Sequence, residues 1–276
     1  MMRYWLLIAV MLLTACGTKG IEQHKGYEVD RRQEAFGARP RIKMLVIHYT
    51  AEDFPSSLST LTARQVSAHY LIPAQQQPKK SGVPRIWQLV PEAQLAWHAG
   101  PSFWRGATRI NDTSIGIEIV NDGYYRTMEG VRWAPFTAQQ IAVLQRLIPD
   151  IVARYGIEPS NIVGHSDIAP QRKQDPGPLF PWQQLADAGI GAWPDADRVQ
   201  FWLNGRAPGE SVPVADVLDV LARYGYDVTP DMTPRQQQKV IAAFQMHFRP
   251  ADYRGLPDAE TEAIAEALLE KYPTRI

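Results

Sequence analysis

The chain has 276 residues with 29 Lys and Arg against 29 Asp and Glu, a formal net charge of zero that offers a phosphate backbone nothing to bind, so nucleic acid is not an expected partner. A hydrophobic content of 45% excludes global disorder, and the length suits one enzyme-sized domain with a small added module. The single cysteine, Cys16, excludes an intrachain disulfide.

At the N-terminus one cation, Arg3, precedes an apolar run from Leu6 to Leu13 that is too short to span a bilayer as a helix. The run ends in Leu13-Thr14-Ala15-Cys16, which resembles the lipobox of exported bacterial lipoproteins. That resemblance implies a signal peptide over residues 1–15 and lipidation of Cys16. With Gly17 rather than Asp after the cysteine, it implies an outer-membrane lipoprotein on the periplasmic face. Residues 16–40, polar and charged with little periodicity, read as the lipidated N-terminus and an irregular tether.

Residues 41–195 mix strand and helix signals, predicting an α/β domain with a mixed sheet flanked by helices. Met44-Leu45-Val46-Ile47 suits a strand buried on both faces, with His48 at its end. Thr62 to Ile72 reads as a short helix and Arg85 to Val90 as a strand. Ile115-Gly116-Ile117-Glu118-Ile119 alternates with period two, so the isoleucines share one face and Glu118 takes the other. From Thr137, apolar residues at 141, 144, 148, 151 and 152 form a helical stripe opened by a Thr137/Gln140 capping box and closed by Gly156. Asn161 to Gly164 is a further strand, ending at His165. Residues 196–212 read as a connector. Three helical stripes then follow in a small all-α region, 213–276, around Val214 to Leu221, Val240 to Phe248 and Ile264 to Tyr272.

Two of the six histidines, His48 and His165, end apolar strands, where rigid backbone meets solvent. Downstream, Pro176 biases Asp175 towards an extended conformation, so Lys173 and Asp175 can face one cavity. Two imidazoles and a carboxylate suit catalytic Zn²⁺, which takes three such ligands and leaves a position for water. His48, His165 and Asp175 are therefore the proposed ligands of one zinc ion. Glu118, projecting from an isoleucine-rich strand, is the candidate general base, and Lys173 the candidate cation for an oxyanion. Separated histidines are less specific than H-E-x-x-H, and each could be a hydrogen-bonded structural residue. Glu118 could equally pair with an arginine, and Lys173 could be solvated surface. Gly164-His165-Ser166 fails as a nucleophile elbow because Ile168 stands where a second glycine is needed, which disfavours a serine hydrolase.

The stretches LVIHYT at 45–50, VSAHYLI at 66–72, IWQLVPEAQLAWHAG at 86–100, NDTSIGIEIVN at 111–121 and GHSDIAPQRKQDPGPLFPW at 164–182 resemble the zinc-dependent N-acetylmuramoyl-L-alanine amidases. That AmpD-like family takes in amidase-type phage lysozymes and peptidoglycan recognition proteins, and the likeness covers roughly residues 40–195. It implies Zn²⁺ on His48, His165 and Asp175, catalysis by Glu118 and Lys173, and hydrolysis of the amide between N-acetylmuramic acid and L-alanine. It also brings Trp97, His98 and Asn111 forward as substrate contacts and leaves His69 structural. The C-terminal helices resemble a peptidoglycan-binding domain. The partners so implied are peptidoglycan or its muropeptides, and the outer membrane through a lipid anchor; no protein partner is implied. The rivals are a non-catalytic peptidoglycan receptor on the same fold and a zinc peptidase acting within the stem peptide.

Overall fold

The run expected at 44–47 forms β3 (Met44–Tyr49), which pairs in parallel with β6 (Ser114–Ile119) on one edge and with β9 (Ile162–Gly164) on the other. Strands β4 (Tyr70–Ile72), parallel to β6, and β5 (Trp87–Gln88), antiparallel to β4, complete a five-stranded mixed sheet of order β5-β4-β6-β3-β9. The computed structural model describes residues 20–75 and 83–274, so the expected signal peptide and Cys16 lie outside the described residues. Residues 1–39 and 40–276 are separate compact units. Within the first, where only an irregular tether was expected, β1 (Ile21–His24) and β2 (Tyr27–Asp30) form a hairpin turning through Gly26. Among the described residues no helix is long and apolar enough to cross a membrane.

Period-two alternation divides the sheet between two cores. Leu45, Ile47, Ile115, Ile117 and Ile119 pack with Ile141, Leu144, Ile148 and Ile151 of α3 (Ala138–Tyr155). That helix opens on the expected Thr137/Gln140 capping box and ends at Gly156, whose φ of 65° is left-handed. Met44, Val46 and Val163 face the other way, into a cluster with Trp104, Ile168, Val217, Leu221, Tyr224, Val240, Ile241 and Phe244.

The helix expected over Thr62–Ile72 is instead α1 (Phe54–Leu61), earlier in the chain. Asp53 caps it by accepting the Ser56 N–H at 2.9 Å, and Pro55 sits in its first turn, where no N–H is needed. Tyr70, Leu71 and Ile72 are buried between β5 and β6, and ladder pairing with β6 overrides the short helical pattern.

Residues 196–203 of the expected connector form α6 (Ala196–Leu203), which packs on α9 (Ala259–Lys271). The three C-terminal stripes are α7 (Val214–Tyr224), α8 (Pro234–Phe248) and α9. They bury their apolar faces against the sheet as well as one another, so residues 40–276 form a single unit. Phe244→Ala, which empties part of that shared core, should cost about 3–5 kcal/mol and lower the stability of the unit in one transition. Denaturant unfolding followed by both tryptophan fluorescence and far-UV circular dichroism checks this; two separate transitions would show that the helices stand alone.

Candidate active site

The carboxyl ends of β3, β6 and β9 deliver the chemistry. In the parallel ladder His48 pairs with Glu118, which places both side chains on one face of the sheet. On the other edge Ile47 pairs with Gly164, so His165 emerges beside His48 as the first residue of the short helix α4 (His165–Ile168). The loop after α4 turns back, and the Ser166 N–H donates to the Asp175 carbonyl at 2.8 Å, which brings Asp175 alongside His165.

Three ligand atoms converge there. His48 Nδ1 and His165 Nδ1 are 2.9 Å apart, and Asp175 Oδ2 lies 3.1 Å from each, all three residues being buried. Around a tetrahedral zinc with bonds of about 2.0–2.1 Å, ligand atoms sit about 3.3 Å apart, so the cluster is close to the spacing the ion requires. The protons agree. His165 Nε2 donates to the Ala99 carbonyl at 3.1 Å, which leaves its Nδ1 bare and directed at the other two ligands. His48, His165 and Asp175 thus form a possible metal site.

Burial pushes the Asp175 carboxyl up, but the neighbouring histidines, His165 foremost, outweigh it and hold the group far below the usual carboxylate range. Burial, reinforced by His165, lowers His48 to about 4. Glu118 moves the opposite way: burial first, then the charge of Asp175, raise it to about 8, while Lys173 pulls it down. Its Oε2 is enclosed without a hydrogen-bond partner. No salt bridge of the kind left open by the sequence engages it among the described residues.

His48, Glu118, His165, Lys173 and Asp175 all line one cleft of about 470 Å³. Trp97 stands on its wall with 59% of its surface exposed, and His98 lines it while remaining buried. Asn111, expected as a substrate contact, is not among the residues lining the cleft; its Oδ1 accepts the backbone N–H groups of His98 (3.1 Å) and Ala99 (2.8 Å) and so shapes the turn carrying His98. His69 is structural, accepting the Gly116 N–H at Nδ1 and donating from Nε2 to the Gln94 carbonyl. Trp104 is core, with its indole N–H on the Ser160 carbonyl.

Sequence reasoning missed what the C-terminal helices bring. Lys239, Ala242 and Met246 of α8 line the cleft, and Lys239 Nζ donates to the Gln171 carbonyl at 2.6 Å. Asp167, two residues beyond His165, accepts from Tyr226 (2.6 Å), from His247 Nδ1 (2.7 Å) and from the Gly164 N–H (2.7 Å), all buried. A buried carboxylate satisfied in this way ties the ligand-bearing turn to the helical region. In the sequence, His247 was one more position in an apolar helical stripe.

The family described as N-acetylmuramoyl-L-alanine amidase matches residues 38–178. The chain is 64% identical over 270 residues to the N-acetylmuramoyl-L-alanine amidase AmiD of Escherichia coli K12, covering 98% of each chain. The solved complex of E. coli AmiD with anhydro-N-acetylmuramic acid-L-Ala-D-gamma-Glu-L-Lys superposes with a TM-score of 0.91, covering 93% of this chain and 100% of that one. AmpDh3 from Pseudomonas aeruginosa is similar at 42% identity and a TM-score of 0.80, over 91% and 98% of the two chains. Strand-end chemistry, sequence likeness and fold agree, and the chain belongs to the N-acetylmuramoyl-L-alanine amidase family, hydrolysing the amide that joins N-acetylmuramic acid to the L-alanine of the stem peptide.

Proposed function

We propose that this amidase works through one zinc ion held by His48, His165 and Asp175, with Glu118 and Lys173 as its catalytic residues. The observation that carries the reading is the convergence of three buried ligand atoms beside a carboxyl group with an unpartnered oxygen. Zinc so held supplies Lewis acidity, polarising the scissile carbonyl and acidifying water at neutral pH.

The chain's own groups handle the protons. Glu118, raised towards the working pH, takes a proton from the attacking water and returns one to the L-alanine nitrogen as the carbon–nitrogen bond breaks. Lys173 on the cleft wall stabilises the negative charge that gathers on the carbonyl oxygen. Exposed Trp97 offers a flat face to the sugar or peptide, and His98 adds to the wall.

The substrate is peptidoglycan or muropeptides of the kind bound by E. coli AmiD. The helical region 213–276 adds binding to it, a reading supported by Lys239, Ala242 and Met246 on the cleft wall. Lipidation of Cys16 would hold the enzyme on the periplasmic face of the outer membrane. Cys16→Ser should then leave the outer-membrane fraction on cell fractionation, and unchanged partitioning would mean that something else anchors the chain.

Purified protein should carry about one zinc per chain by elemental analysis, lose hydrolysis of a defined muropeptide on chelation, and regain it with zinc. Alanine at His48, His165 or Asp175 should impair metal retention. Glu118→Gln should keep the metal and lose turnover by about 10²–10⁴-fold. Full activity without metal would overturn the reading, and a product cut within the stem peptide would favour the peptidase.

The raised Glu118 also predicts a pH dependence of stability in the metal-free protein. Its folded value, about 8, exceeds its ordinary 4.5, so across that window the folded state binds more protons than the unfolded state. Stability contributed by this group is therefore full below about 4.5, falls as pH rises and levels off above about 8. Glu118→Gln removes that slope. Denaturant titrations of the metal-free proteins from pH 5 to 8 should show the variant gaining on the native chain with rising pH; parallel curves would mean that Glu118 is not held protonated.

A further inference from the structure

Resting on the metal-site reading above, we propose that His98 and Ser114 are positioning residues that fix the proton of His48 on Nε2, so that Nδ1 is presented bare to the metal. The direction of each hydrogen bond follows from the far end of a buried chain. The Ile110 carbonyl can only accept, and Ser114 Oγ lies 2.6 Å from it, so the single hydroxyl hydrogen goes there. Towards His98, Ser114 can then only accept, and His98 Nε2, at 3.1 Å, carries the hydrogen. A neutral imidazole has one such hydrogen, which leaves His98 Nδ1 bare. That nitrogen is 3.0 Å from His48 Nε2 and accepts from it. His48 has then placed its only hydrogen, and its Nδ1 faces His165 Nδ1 and Asp175 Oδ2 as a lone pair.

His98 is buried, and none of its hydrogen-bond partners is a carboxylate that would hold a second hydrogen on it. A doubly protonated His98 would push its second hydrogen at His48 and reverse the chain.

The ring of His98 is packed on one side. A Cβ at Gly116 would lie 2.5 Å from His98 Cγ, so the ring lies directly against the backbone of β6. Asn111 Oδ1 holds the backbone of the same residue. The two imidazole ligands are therefore set by different means: His165 directly by the Ala99 carbonyl, and His48 through two intermediaries ending at the Ile110 carbonyl. Outer partners of metal ligands fix tautomer and orientation, and losing one costs about 10–100-fold in metal affinity or activity.

The test uses the full-length protein. With the imidazole nitrogens labelled with ¹⁵N, spectra of the metal-free native chain should show His48 and His98 each protonated at Nε2 and bare at Nδ1. Ser114→Ala should weaken zinc binding about 10–100-fold by competition with a chelator of known affinity. His98→Asn, whose Oδ1 can stand near the place of Nδ1, should keep more of the zinc affinity than His98→Leu. A hydrogen on His48 Nδ1 in the native chain, undiminished zinc affinity in Ser114→Ala, or equal losses in the two His98 variants would overturn the relay. Absence of zinc binding by the native chain would instead overturn the metal-site reading itself.

Discussion

β3 pairs in parallel with β6 on one edge and with β9 on the other, and that pairing fixes three chemically active side chains before any of them meets substrate. Register is what matters. His48 stands opposite Glu118, and Ile47 opposite Gly164, so a slip of one residue would turn His48 into the α3 core and an isoleucine into the cleft. The slip is resisted by the two cores themselves, because Leu45, Ile47 and the three isoleucines of β6 fill one face while Met44 and Val46 fill the other. Hydrophobic burial on both sides of the sheet thus sets the position of a polar site at its end, where open α/β sheets commonly bind their ligands.

The site concentrates opposite demands in a small volume. Asp175 is kept ionised between two imidazoles, whereas Glu118, close enough to feel that negative charge and buried as well, binds its proton more tightly than an ordinary carboxylate. Two carboxyl groups of similar intrinsic acidity are separated by what surrounds each, and the separation suits them to the roles of ligand and proton carrier proposed above. Arg172 supports the arrangement from outside, donating to the carbonyls of Ala99 and Pro101, the first of which also accepts the His165 Nε2–H.

The helical region is part of this arrangement. Tyr226 and His247 reach across to Asp167, and Lys239 to Gln171, on either side of the turn and loop that carry His165 and Lys173. The stack of His247 between Trp182 and Phe248 holds the imidazole where Asp167 needs a donor. Helices that resemble a wall-binding module from their sequence also brace and line the catalytic cleft.

Much of this was legible from local pattern. Period two in Ile115–Ile119 already separated Glu118 from the isoleucines, and histidines closing apolar runs marked strand ends, because side-chain direction in a strand depends only on parity along the chain. The capping box at Thr137 and the stop at Gly156 are likewise local chemistry, readable without a partner. What the linear pattern misjudged was decided by distant neighbours. Tyr70–Ile72 became a strand because β6 offered an unpaired edge, and residues 214–271 joined the sheet's core because Met44, Val46 and Val163 needed cover. The bracing of the Ala99 backbone by Asn111 and the proton chain from Ile110 through Ser114 and His98 to His48 exist only once segments far apart in sequence lie within 3.1 Å. Periodicity records which face of an element is buried; which group will meet a buried donor or acceptor is settled only when the elements pack, since an unpaired polar atom in the interior must find a partner there.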